Sequence, residues 1–92
     1  MVMKHKLRVN LVVFSDDNKL IVSCSNDCTI KVYNRETKDI SILKNHTEYV
    51  NSVAISGDNK FIISGSDDLT VRIWDIEAKE NLILIIEKSS VE

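Results

Sequence analysis

The 92-residue chain contains no proline and only two glycines. Its turns therefore cannot lean on the fixed φ of proline and can lean only rarely on the freedom of glycine. They fall to Asn, Asp and Ser, which tolerate left-handed backbone or hydrogen-bond their own main chain. Two cysteines, Cys24 and Cys28, are too few for a disulfide scaffold. They sit close together in "CSNDC", but a tetrahedral zinc site needs a second pair of ligands that the chain does not offer. No metal and no cofactor is expected. Basic residues are not in excess: 12 Lys and Arg face 14 Asp and Glu, for a net charge of −2. That gives no basic face for a phosphate backbone and argues against nucleic acid. No apolar run is long enough to span a bilayer, and "LILII" at 82–86 is far too short, so no membrane partner is expected. The opening "MVMKHKLRVNLVVF" lacks the long apolar stretch and small-residue cleavage site of a signal peptide. These absences together point to the cytoplasm or nucleus.

What is present is ordinary in amount and unusual in order. Hydrophobic residues make up 43% of the chain, which suits a folded domain rather than a disordered segment. The length suits one small domain or a piece of a larger one. "SCSNDCTIKVYN" at 23–34 returns as "SGSDDLTVRIWD" at 64–75. Aligning residues 5–43 with 46–84, at an offset of 41 and without a gap, gives 17 identical pairs in 39. They include His5/His46, Val9/Val50, Asn10/Asn51, Val12/Val53, Ser15/Ser56, Asp17/Asp58, Ser23/Ser64, Asp27/Asp68 and Thr29/Thr70. A period of 41 lies in the range of four-stranded propeller blades.

Each unit reads as four short strands. In the first these are 8–14, 20–25, 28–34 and 39–44, separated by "SDDNK", "ND" and "RETK". The stretch "CTIKVYN" alternates, with Ile30 and Val32 on one face and Thr29, Lys31 and Tyr33 on the other. In the second unit the strands are 49–55, 61–66, 69–75 and 81–87. Short strands bounded by turn clusters at regular spacing predict an all-β meander. "DIEAKENL" at 75–82 has helix formers but occupies the slot of "NRETKDIS", so it reads as turn and strand start. The expected division is a first unit at 1–44, a second at 45–87 and a tail at 88–92.

The second unit, "NHTEYVNSVAISGDNKFIISGSDDLTVRIWD", resembles the WD-repeat β-propeller family from its His to its closing Trp-Asp. The resemblance implies two four-stranded antiparallel blades of an incomplete propeller. It also implies a hydrogen-bonded tetrad in each blade: His46, Ser64, Asp68 and Trp74 in the second, His5, Ser23, Asp27 and Tyr33 in the first. In this reading Asp accepts from His, His donates onward to Ser, and the Trp N–H closes the chain. Ser66 is a weaker claimant to the hydroxyl role. The first unit departs from the pattern. Lys4 stands in the slot the family gives to glycine, where the second unit has Asn45, and Tyr33-Asn34 replaces Trp-Asp.

At equivalent positions of a repeat, the histidines and aspartates read as structural rather than catalytic. Repeat symmetry puts Asp27 and Asp68 in different blades, not in one cleft, and no nucleophile–base–orienter set is visible. Cys28 maps to Leu69 and Cys24 to Gly65, which suggests small or apolar packing. The resemblance implies that function sits on the rim. There Arg8, Asn10 and Asn26 of the first unit match Tyr49, Asn51 and Asp67 of the second, with Tyr49 as the best anchor. The expected function is a non-enzymatic scaffold that holds other proteins within a multiprotein complex. One alternative is a self-assembling piece, since two blades leave two faces open and an unclosed ring, to be completed by other copies or missing blades. A third is an RNA-associated subunit, against which the mild acidity counts.

Overall fold

The structure, a computed structural model, describes residues 2–44, 46–76 and 80–85, the last six by backbone alone. The described residues form eight strands and no helix. The first sheet runs β1 (Val9–Phe14), β2 (Leu20–Ser25), β3 (Ile30–Asn34) and β4 (Ile40–Leu43). The second runs β5 (Val50–Ile55), β6 (Phe61–Ser66), β7 (Thr70–Asp75) and β8 (Glu80–Ile85). Both are antiparallel meanders in which each strand pairs with the next. The strands are rich in Val, Ile and Thr, whose branched side chains suit a pleated surface. The stretch 77–79, the residues beyond 85 and the 88–92 tail lie outside the described residues.

The polar turns show why a chain so poor in glycine can turn so often. In the first hairpin Ser15 Oγ donates to Asp17 Oδ1 at 2.6 Å, and Asp17 accepts the Lys19 N–H at 2.9 Å. The Leu20 N–H returns to Ser15 Oγ, and Asn18 takes the left-handed φ of 61°. The second unit repeats this with Ser56, Asp58, Lys60 and Phe61, and Asn59 has φ 62°. Neither glycine has positive φ. Asn is the residue that best tolerates this conformation after glycine.

Five strands start later than predicted: β1, β4, β5 and β7 by one residue and β3 by two. β3 begins at Ile30 rather than Cys28, and β7 at Thr70 rather than Leu69. Cys28 and Leu69 hold φ of 71° and 69° as the last residues of their turns, each N–H bonded back to Ser25 or Ser66. The apolar packing suggested for this pair is therefore not what the fold gives them: Leu69 is exposed and Cys28 only partly buried. Cys24, in contrast, is wholly buried in β2.

The core lies between the two sheets. Leu20, Val22 and Cys24 of β2 and Ile30 and Val32 of β3 supply one side; Val50, Val53, Ile62 and Trp74 supply the other. A β-bulge between Val50 and Ser52 lets Val50 and Val53 share a face although they are three residues apart. Two hydrogen bonds tie the sheets at opposite ends of the contact. Asn10 Nδ2 donates to the Val50 carbonyl at 2.8 Å, and Asn59 Nδ2 donates to Asp17 Oδ2 at 2.7 Å.

Candidate functional site

Inside the second sheet the turn after β6 carries Asp68, and the segment leading into β5 carries His46. His46 Nδ1 lies 2.8 Å from Asp68 Oδ2, and its Nε2 lies 2.7 Å from Ser64 Oγ. Trp74 Nε1 donates to the same Ser64 oxygen at 2.9 Å. A carboxylate only accepts, so His46 donates from Nδ1, and a neutral imidazole then accepts at Nε2. Ser64 therefore donates to His46 while accepting from Trp74, the reverse of the His-to-Ser direction read from the sequence. The indole and imidazole rings also meet edge to face, with centroids 6.3 Å apart. His46, Ser64 and Trp74 are buried, so each polar atom of this chain of bonds is satisfied where water is excluded.

The first sheet repeats the arrangement up to the serine. His5 Nδ1 lies 3.0 Å from Asp27 Oδ2, and Nε2 lies 2.7 Å from Ser23 Oγ. Among the described residues no hydrogen bond joins Tyr33 to Ser23, so the tetrad assigned to this unit is corrected to a triad. A phenol presents its O–H at the far tip of the ring, whereas an indole N–H sits at the ring's side, within reach of a serine on the adjacent strand.

Thr29 and Thr70 belong to these networks and were assigned no role in the sequence. Each accepts no carboxylate proton but donates its hydroxyl to the aspartate two residues earlier. Each also places that hydroxyl near the histidine Nδ1, at 3.2 Å for Thr29 and 3.3 Å for Thr70. Their backbone N–H groups donate to the same carboxylates, as do those of Lys6 and Thr47. The signal was the exact recurrence of Thr two residues after Asp in both units. Burial pushes the Asp27 carboxyl up, but the hydroxyl and N–H of Thr29, with His5 and Lys6, outweigh it and hold the group down at about 2. Asp68 is held well below the usual carboxylate range by the corresponding donors, against the opposing effect of burial. Ser25 and Ser66 stay outside the tetrads: each accepts the N–H of the turn aspartate and donates to a carbonyl before β1 or β5.

The six rim residues gather at the same end of the two sheets. The Asn26 N–H donates to the Arg8 carbonyl at 2.8 Å, and the Asp67 N–H to the Tyr49 carbonyl at 3.0 Å. Asn51 Nδ2 donates to Asp67 Oδ1 at 2.6 Å, and Asn10 Nδ2 to Asn26 Oδ1 at 2.8 Å. Asn10 gives its second hydrogen to Val50 across the sheet contact, so its amide nitrogen is committed within the molecule. Arg8, Tyr49, Asn51 and Asp67 are exposed, Tyr49 to 48%. Burial raises the Cys24 thiol above its ordinary value, and Cys28 is raised by desolvation and then by the Glu48, Asp27 and Asp68 carboxylates. Neither is a ready thiolate. Among the described residues no cluster of His, Cys, Asp and Glu has the makings of a metal site.

The repeated unit has counterparts in known proteins. The family model described as WD domain, G-beta repeat matches residues 2–34 and again 37–75. The chain belongs to the WD40 repeat family. A solved structure titled "Structure of U3-55K" superposes with a TM-score of 0.82 at 23% sequence identity, over 94% of this chain. The match occupies 29% of that longer chain, so this chain spans under a third of the structure it resembles. At that identity the likeness establishes the fold: the two sheets are WD40 blades, and together they make two blades of an unclosed β-propeller.

Proposed function

We propose that the chain is a non-enzymatic protein-interaction scaffold, working within a multiprotein complex, whose contact surface is the rim where β1 and β5 begin. The observation that carries this is Tyr49, a half-exposed tyrosine held among the hydrogen-bonded polar pairs Asn51–Asp67 and Asn10–Asn26. A tyrosine in a preorganised polar setting offers large contact area at low entropic cost, which is what an anchor residue needs. Arg8 supplies an exposed cation on the same rim, while Asn10 acts mainly by fixing Asn26. The WD40 fold supports the reading, because blades present their strand-connecting loops on a common surface. His5, His46, Asp27 and Asp68, which in an enzyme would be the reactive groups, are consumed by the internal triad and tetrad. The two free cysteines fit work in the cytoplasm or nucleus.

The test is affinity capture from cell extract with the wild-type chain and with Tyr49→Ala, quantified by mass spectrometry and followed by direct binding of each retained protein. Partners should be retained by the wild type and lose at least tenfold in affinity for Tyr49→Ala, the scale of a hot-spot truncation. The melting temperature should not move. Equal binding by the two chains would refute the rim as the contact surface.

A further inference from the structure

The two outer faces of the molecule are the two halves of a contact it already makes internally. Blade two buries Val50, Val53, Ile62 and Trp74 against blade one. The repeat places Val9, Val12, Ile21 and Tyr33 at the same positions of blade one, where they face outward instead. Val53 is 6% exposed and its counterpart Val12 is 50% exposed. Conversely, blade one buries Leu20, Val22, Ile30 and Val32 against blade two, and the counterparts on blade two are Phe61, Ile63, Val71 and Ile73. Val22 is fully buried, whereas Ile63 is 43% exposed. One outer face is thus built like the inner face of blade two, and the other like the inner face of blade one.

The polar ties obey the same rule. Inside the chain, the asparagine of one blade donates to the valine carbonyl of the next (Asn10 to Val50), and the turn asparagine of the next donates back to an aspartate (Asn59 to Asp17). Their repeat equivalents are Asn51 and Val9, and Asn18 and Asp58. Asn18 has φ 61° against 62° for Asn59, so it presents its side chain from the same turn geometry. The Asp58 Oδ1 atom takes the Ser56 and Lys60 donors, as Oδ1 of Asp17 takes those of Ser15 and Lys19; Oδ2 of Asp17 is the atom that receives Asn59.

We infer that a second copy of this chain docks head to tail, its blade one against blade two of the first. Asn51 of one copy donates to the Val9 carbonyl of its neighbour, and the neighbour's Asn18 donates to Asp58. The contact is heterologous, because the two faces differ, so it propagates until the ring closes. Propellers close at about four to eight blades, and two blades per copy close only even rings, of two, three or four copies. This inference does not rest on the rim reading, since none of the side chains that make it is a rim anchor except Asn51.

The test is sedimentation velocity on the wild type, on Val12→Asp, on Ile63→Asp and on an equal mixture of the two variants. Each substitution places a charge on one outer face and leaves the in-chain core untouched, which far-ultraviolet circular dichroism checks. The wild type should sediment as two, three or four copies of the 10.5 kDa chain. Each variant alone should sediment as one copy. The mixture should form pairs, because the intact Ile63 face of one variant meets the intact Val12 face of the other. A single-copy or unfolded wild type overturns the inference. So does self-association of either variant alone, which would mean like faces pairing, or failure of the mixture to pair. Should either aspartate variant unfold, Asn18→Gly keeps the turn conformation and removes only the donor. It should weaken association about three- to tenfold, the worth of one hydrogen bond, and unchanged association would again overturn the inference.

Discussion

Ser64 is the residue on which the second tetrad turns, because it is both acceptor from Trp74 and donor to His46. Ser64→Ala leaves two buried partners without a bond, whereas Ser23→Ala leaves one. The cost should be about 2–3 kcal/mol for the former and about 1 kcal/mol less for the latter, read from denaturant melts. The charge-assisted hydrogen bond between His46 and the Asp68 carboxylate is worth about as much: His46→Ala or Asp68→Asn should lose about 2–3 kcal/mol. Unchanged melting in either would refute a structural role for the pair. Conversely, Tyr33→Trp gives the first blade the donor it lacks and should gain about 1 kcal/mol. The carboxylates set a pH dependence whose sign is fixed. Asp27 and Asp68 are more acidic in the folded chain than the ordinary 3.8, so the unfolded chain binds their protons first. Their contribution is complete above the ordinary carboxylate value of 3.8 and is lost below it, as pH falls through about 2 for Asp27 and lower still for Asp68. The melting temperature should drop over that window, and less steeply in Asp68→Asn.

At the scale of elements, turn chemistry decides where strands begin. Leu69 ends its turn with φ 69°, a conformation that costs a residue with a Cβ about 1 kcal/mol or more. Leu69→Gly should therefore raise stability by about 1 kcal/mol, measured as a shift of the unfolding midpoint; a loss would mean that the leucine packs in some way its exposure does not reveal. The same turns show how much of the fold was legible. β2 and β6 begin and end where the alternation and the bounding polar clusters put them. β3 and β7 do not, because alternation alone cannot tell a strand residue from a left-handed turn residue when that residue is Cys or Leu. The histidine, serine and aspartate were legible because they recur at fixed positions in a repeat. Thr29 and Thr70 recur as faithfully, but their value lies in a double donation to one carboxylate that only three-dimensional placement exposes. The cross-blade bonds of Asn10 and Asn59 are equally invisible in the sequence, since each joins residues about forty positions apart through packing rather than pattern.

Among the described residues the whole molecule has one core, and that core lies between the blades. A four-stranded sheet has two faces, and here each blade covers one face with the other blade. Val12, Phe14, Phe61 and Ile63 stay on the uncovered sides. Repeat architectures gain their stability from such nearest-neighbour contacts, so a molecule with two open faces holds less than its share. Stability should therefore depend on chain concentration, as it does wherever folding is linked to association. The most direct measurement is molar mass by light scattering together with far-ultraviolet circular dichroism on the same sample, followed through dilution. Dilution should take the mass from an assembled ring to a single chain, with the thermal midpoint of the β signal falling alongside. A mass of one chain at every concentration, with a midpoint that dilution does not move, would contradict this.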